Sequence, residues 1–234
     1  MNFKHLIPLR LHLLAVTTLL VGLSAAGFSW AMGEPNDSGA PPQVAWKIGD
    51  PIITYWAGPG FPGGGPLDDA AAARLVAGGW NMAWCHENEL EAAHRHGLRG
   101  LLTSDLLRPE TLNDPQRKAA LDGLIDRIRK HPAMYAYHLV DEPSAAAFPA
   151  IGSLVAYLRE RDPAHFSYIN LFPIYASNEQ LGTSGGTAAA YTEHLRRFVE
   201  TVKPALLSYD HYQFRHGGTD PNYFLNLALV RTKA

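Results

Sequence analysis

From Trp46 onward the chain alternates short apolar runs with longer stretches that are amphipathic or rich in alanine. Short runs of apolar, β-branched and aromatic residues bounded by Gly, Pro, Asn or Asp predict strands. Apolar residues spaced by three and four predict helices. On this basis strands are expected at 52–56, 80–84, 98–103, 134–140, 166–171 and 205–209. The intervening helices are expected to open at Leu67 with Asp68 and Asp69 in the first turn, then to cover 89–96, 115–130, 148–161, 188–202 and 223–230. Acidic residues in a first turn suit the helix dipole, and Asp114 followed by Pro115 is a helix start.

Strands alternating with helices imply parallel βαβ units with right-handed crossovers. Such units fit either a doubly wound sheet or most of a (β/α)8 barrel. The polar residues favour the barrel, because every predicted strand ends in a polar or aromatic cluster: Tyr55 and Trp56, His86 and Glu87, Ser104 and Asp105, Asp141 and Glu142, Asn170, and Asp210 with His211 and Tyr212. A doubly wound sheet concentrates its site at one switch point, whereas a barrel collects residues from all strands around one mouth. The Gly63, Gly64, Gly65 run lacks the Lys-Ser/Thr of a phosphate loop and is read either as a mobile loop over the site or as a plain linker. Six units fall short of eight, so the expectation is an incomplete (β/α)8 TIM-barrel type with its last two units beyond Ala234.

Composition narrows the function classes. The chain has 234 residues, 47% hydrophobic and 18% charged, and a net charge of -2. That is a globular composition with scattered cations and no nucleic-acid footprint. Cys85 is the sole cysteine, which excludes an intrachain disulfide and a cysteine-based zinc site. Lys4 and Arg10 precede an apolar stretch that ends in small residues, the order of a secretory signal peptide over 1–32. An uncleaved membrane anchor is the competing reading of the same stretch. A Gly/Pro/Asn/Ser-rich linker at 33–45 leads into the barrel domain at 46–234, so the protein is expected to be exported.

The chemistry centres on Asp141 and Glu142. An apolar strand that ends in two adjacent carboxylates and a proline is an unusual construction, since burying carboxylates is costly without partners. Strict alternation would put His138, Val140 and Glu142 on one face, and Pro143 would keep Glu142 extended. On the last strand Ser208, Asp210 and Tyr212 share a face. Asn170 offers an amide that donates and accepts, and Trp56, Trp84, Tyr175 and Tyr212 are candidate stacking platforms for sugar rings.

The strand with its acidic pair and proline resembles the fourth strand of clan-A glycoside hydrolases, which carry Asn-Glu-Pro there. The resemblance implies that Glu142 is the general acid/base of a retaining mechanism. It places the nucleophile at the end of strand seven, beyond Ala234, and makes the substrate a poly- or oligosaccharide with no cofactor. Asp141 stands where that clan has Asn. Read from the strand ends and their residue types, the candidate substrate-binding set is Asp141, His138, Asn170, Asp210, Tyr212, Trp84, His86, Glu87, Asp105, Tyr55 and Trp56. The Asp-Glu pair also resembles that of substrate-assisted hexosaminidases. A carbohydrate-binding barrel without catalysis is the alternative from a different class. Convergence of His86, Glu87, Asp105, His138 and Asp210 would instead suit a metal-dependent amidohydrolase, although the first strand lacks the His-x-His of that family.

Overall fold

The computed structural model describes residues 51–56 and 65–234, apart from the Arg215 side chain. The signal-peptide and linker assignments, and most of the glycine loop, lie outside the described residues. Among those residues no helix is long and apolar enough to cross a membrane.

Five parallel strands form the sheet: β1 (Met82–Cys85), β2 (Arg99–Leu102), β3 (Met134–Asp141), β4 (Phe166–Leu171) and β5 (Ser208–Tyr209). Their order is sequential, β1-β2-β3-β4-β5. Helices α1 (Asp69–Ala77), α2 (Leu90–Arg95), α3 (Pro115–Ile128), α4 (Phe148–Arg161), a short α5 (Asn178–Leu181) and α6 (Thr187–Val202) fall between them or precede them. A small hairpin of β6 (Phe214–Arg215) and β7 (Gly218–Thr219) follows β5, and α7 (Tyr223–Arg231) comes last. A doubly wound sheet reverses its strand order at the switch point. This order never reverses, so the chain is singly wound: an α/β fold forming an open arc of a (β/α) barrel.

The two faces of the arc differ in composition. On the outer face Ala83, Cys85, Leu102, Tyr137, Leu139, Ile169 and Leu171 join the buried residues of the helices in one large core. On the inner face Met82, Leu101 and Ala136 form a separate cluster with Trp84, Tyr135, Phe166 and Tyr168, and no helix contributes to it. The helices cover the outer face through ordinary amphipathic spacing. In α6 the buried residues Tyr191, His194, Leu195, Phe198 and Val202 recur at three- and four-residue intervals. Each large apolar side chain buried there contributes about 1.5–3 kcal/mol of transfer free energy. Gly152 lets α4 approach α6 closely, since a Cβ there would lie 2.7 Å from the Thr201 carbonyl oxygen. At the start of α3, Asp114 accepts from the amides of Gln116 and Arg117, with Pro115 in the first turn.

Two expectations are corrected. Residues 52–56 form no strand. They run beside β1, held by one backbone bond from the Asn81 amide to the Ile53 carbonyl and by side chains: Asn81 Oδ1 accepts from the Ile53 amide, and Thr54 Oγ1 donates to the Met82 carbonyl. Side-chain bridges at this point replace the ladder, leaving five strands rather than six. The second correction concerns β3. Its pairing with β4 slips between His138 and Val140, so that Val140 pairs with Ile169 and Asp141 with Asn170. A bulge places an extra residue against the partner and breaks the two-residue alternation. Leu139 and Val140 both pack toward the outer core, so Val140 does not share the inner face with His138.

Candidate active site

The C-terminal ends of β3, β4 and β5 bring Asp141, Asn170 and Asp210 together. Asn170 is 1% exposed, and its amide is used at both ends. Nδ2 donates to Asp210 Oδ1 at 2.7 Å and to Asp141 Oδ1 at 3.1 Å, while Oδ1 accepts from Ser208 Oγ at 2.9 Å. The Ser208 hydroxyl lies 2.9 Å from Tyr168 OH. One buried amide therefore ties two carboxylates of like charge, and a hydroxyl pair fixes which way that amide faces. Tyr212 OH donates to Asp210 Oδ2 at 3.5 Å, a long bond at the outer rim.

Glu142 follows immediately. Its amide donates to the Asn170 carbonyl at 2.8 Å, so the sheet bonding reaches one residue past β3. Its φ is +45°, in the left-handed region that a side chain with a Cβ rarely adopts. The expectation of an extended Glu142 ahead of Pro143 is therefore corrected. Strain of this kind is held only where the surrounding structure over-determines it, and it clusters at functional sites. Burial pushes the Glu142 carboxyl above the usual range, and the charges of Asp141 and Asp210 push it further. Burial also raises Asp141; the Asn170 hydrogen bond opposes this, and Asp210 adds to it.

An aromatic wall lines the inner face beneath these groups. Trp56 and Trp84 meet edge-on at 5.0 Å, Trp84 and His138 lie 4.3 Å apart, and His138 and Tyr168 are 5.9 Å apart. Burial lowers the His138 pKa to about 4, so its ring is neutral at pH 7. Its Nε2 is buried with no hydrogen-bond partner among the described residues.

The other predicted residues stand apart from the acidic cluster. Tyr55 packs on Trp80 at 5.6 Å against the outer core, the wrong face for a substrate contact. Arg127 grips Glu87 through two bonds of 2.5 and 2.9 Å and lowers its carboxyl pKa. His86 Nδ1 lies 3.1 Å from the Thr103 carbonyl oxygen. A cavity of about 290 Å³ opens among His86, Glu87, Thr103, Ser104 and Arg127. Asp105 has a side chain 94% exposed. Among the described residues no group of three His, Cys, Asp or Glu side chains lies close enough to hold a metal ion, so the convergence that an amidohydrolase would need is not formed. Tyr168 and Ser208 are site residues that the sequence reading did not select. Both lie two positions before a selected residue, on the same strand face, and that spacing was the available signal.

No protein-family model matches the chain, and no curated protein matches it. Solved structures with similar folds include a β-mannanase from the blue mussel Mytilus edulis, at 12% identity and a TM-score of 0.46, covering 68% of this chain and 67% of that one. A glycosyl hydrolase family 2 member from Bacteroides cellulosilyticus aligns at 14% identity and a TM-score of 0.37, over 69% of this chain and 30% of that one. A β-glucuronidase from Ruminococcus gnavus aligns at 11% identity and a TM-score of 0.35, over 70% of this chain and 35% of that one. The chain thus spans about a third of the length of the latter two. These likenesses are too distant to carry residue roles, and the chemistry rests on the geometry of Asp141, Glu142, Asn170 and Asp210.

Proposed function

We propose that this chain is an exported glycoside hydrolase acting on a poly- or oligosaccharide, with Glu142 as the general acid/base of a retaining mechanism. The observation that carries the reading is Glu142 itself: a strained carboxyl at the end of a central barrel strand, kept protonated to higher pH by burial and by two neighbouring carboxylates. A general acid needs that protonated state near the working pH. In the first step Glu142 gives its proton to the glycosidic oxygen as that bond breaks and the second carboxylate of the retaining pair takes the anomeric carbon, forming a glycosyl-enzyme. In the second its carboxylate takes a proton from the water that releases the sugar. The resemblance to clan A puts the nucleophile on a later strand, so Asp141, Asn170 and Asp210 are assigned to substrate hydroxyls. Trp56, Trp84 and Tyr212 are assigned to the faces of sugar rings.

The test is release of reducing ends from β-mannan, xylan, glucans and a set of nitrophenyl glycosides. Glu142→Gln is expected to abolish hydrolysis of unactivated glycosides, losing about 10²–10⁴-fold. It should spare part of the rate on a dinitrophenyl glycoside, whose leaving group needs no proton. Equal turnover by wild type and Glu142→Gln would sink the assignment. Sugar binding by calorimetry without any turnover would instead support a non-catalytic carbohydrate-binding barrel.

One observation favours a second reading, substrate-assisted hydrolysis of a 2-acetamido sugar: Asp141 and Glu142 are neighbours, and both are raised by burial. Inhibition by a thiazoline mimic of the cyclised sugar, with Asp141→Asn losing rate, would support it. Trapping of a covalent glycosyl-enzyme would support the retaining mechanism.

A further inference from the structure

Asp210 and Tyr212 stand on the site side of the chain leaving β5, and His211 between them points the other way. The His211 side chain is 3% exposed. Its Nδ1 lies 3.0 Å from Asn226 Oδ1 on α7. The same Oδ1 accepts the Ile174 amide at 2.8 Å, and Asn226 Nδ2 donates to Tyr191 OH on α6 at 3.0 Å. An amide oxygen carries no hydrogen, so Nδ1 is the donor and His211 holds its proton there. Nε2 faces Asp220 Oδ1 at 3.7 Å, and the rings of Tyr175 and Tyr223 flank the imidazole at 5.3 Å each. Asn226 is 0% exposed. This buried polar network joins the loop after β4, the chain leaving β5, α6 and α7, and the glycosidase chemistry above uses none of it.

The main chain on either side of His211 carries two groups that meet the site: Asp210, bonded to Asn170, and Tyr212, bonded to Asp210. Tyr212 is 64% exposed, and its amide donates to Tyr175 OH at 3.1 Å. β5 is only two residues long, and its pairing reaches one bond further, from the Asp210 amide to the Leu171 carbonyl at 3.0 Å. We propose that His211 is a positioning residue: the Nδ1–H bond to Asn226 clamps the exit of β5 to α7 and so holds Asp210 and Tyr212 against Asn170 and Glu142. A shift of about 1 Å at such a position costs on the order of 10²-fold in rate.

The inference rests on the reading of Glu142 as the acid, but its readout requires no turnover. In the full chain, carboxyl ¹³C NMR follows the titration of Glu142, assigned by loss of the signal in Glu142→Gln. His211→Phe keeps a ring between Tyr175 and Tyr223 and removes the donor, whereas His211→Asn keeps a donor nitrogen near the Nδ1 position. With the clamp gone, the Asp210 charge moves from the site, and His211→Phe is expected to lower the Glu142 midpoint. His211→Asn is expected to restore it. An unchanged midpoint in His211→Phe, or an equal drop in both variants, overturns the proposal. Should His211→Phe fail to unfold cooperatively, imidazole ¹⁵N shifts of the wild type decide: an Nδ1–H tautomer supports the clamp and an Nε2–H tautomer refutes it. Where the wild type turns over a glycoside, His211→Phe should lose about 10²-fold in kcat/KM, with part of the loss in KM because Asp210 and Tyr212 also meet the substrate. A wild type that neither binds nor hydrolyses a glycoside refutes the proposed function, and the titration still decides the clamp.

Discussion

Glu142 occupies a backbone conformation that its side chain disfavours, and paired substitutions measure the cost. At φ +45° a residue with a Cβ pays about 1–2 kcal/mol relative to the right-handed region, and a following proline narrows its choices further. Glycine escapes that penalty but loses about 0.5–1 kcal/mol through the freedom of its unfolded chain. At an ordinary position Ala is therefore the more stable of the two by that amount. At position 142 the order should reverse, with Glu142→Gly exceeding Glu142→Ala by about 0.5–1 kcal/mol. Both lack the carboxylate, so their difference isolates the backbone. Urea unfolding with equal m-values reads it as a shift in midpoint. A Glu142→Ala protein as stable as Glu142→Gly, or more stable, would refute the strain. Against wild type both variants carry a second gain. The Glu142 carboxyl is raised in the folded state, so ionising it costs stability: the cost is absent below the ordinary carboxylate range and is complete once pH has risen through the folded value. Removing it should stabilise the protein at pH 7 and do little in acid.

Three further outcomes follow from the same geometry. Asp210→Asn removes a charge that raises Glu142, so the alkaline limb of kcat/KM on a hydrolysed glycoside should move to lower pH; an unmoved limb would break the link between the two groups. Asn170→Ala deletes three hydrogen bonds, two of them to carboxylates, and should cost about 2–4 kcal/mol in chemical denaturation at pH 7. Because the Asn170 bond lowers the Asp141 pKa, that penalty is present at neutral pH and should shrink as Asp141 is protonated; a pH-independent loss would contradict it. His138 has its pKa depressed from 6.5 to about 4 by burial, so it stabilises the fold above pH 6.5 and that contribution fades as pH falls toward 4. After allowance for partial exposure the effect is roughly 2 kcal/mol, and thermal melts of His138→Phe should show a correspondingly flatter acid dependence.

The alternation of apolar runs made most of the fold legible. Phe148–Arg161 and Phe166–Leu171 form with the bounds that their pattern gives, because caps, prolines and period all agree there. Residues 52–56 carry the same β-branched and aromatic composition yet make no ladder, since propensity cannot report whether a neighbouring strand offers backbone or side-chain partners. At the site, Asn170, Asp210 and Asp141 were readable as polar residues ending apolar strands. The β3 bulge was not: a register slip is a relation between two strands, and nothing in Tyr137-His138-Leu139-Val140 marks it. Tyr168 and Ser208 passed as ordinary strand residues because their role exists only once Asn170 needs its oxygen satisfied.

The bulge and the left-handed Glu142 act together. Neighbouring residues on a strand point to opposite faces, so a regular β3 presenting Glu142 inward would have sent Asp141 into the outer core. The slip between His138 and Val140 turns Asp141 inward to meet Asn170. Regular backbone would then carry Glu142 outward, away from Asp141 and Asp210. The left-handed turn breaks that alternation, and the Glu142 carboxyl instead lies within reach of the charges of both, while its amide still bonds to the Asn170 carbonyl. Two consecutive carboxylates thus serve one site through two local departures from strand geometry, each costing stability. Such costs persist where the arrangement is worth more to function than to folding. That is the physical argument for treating Asp141 and Glu142 as a working pair rather than as the cap of a following helix: neither side chain caps α4, whose N-cap position is held by Ala147.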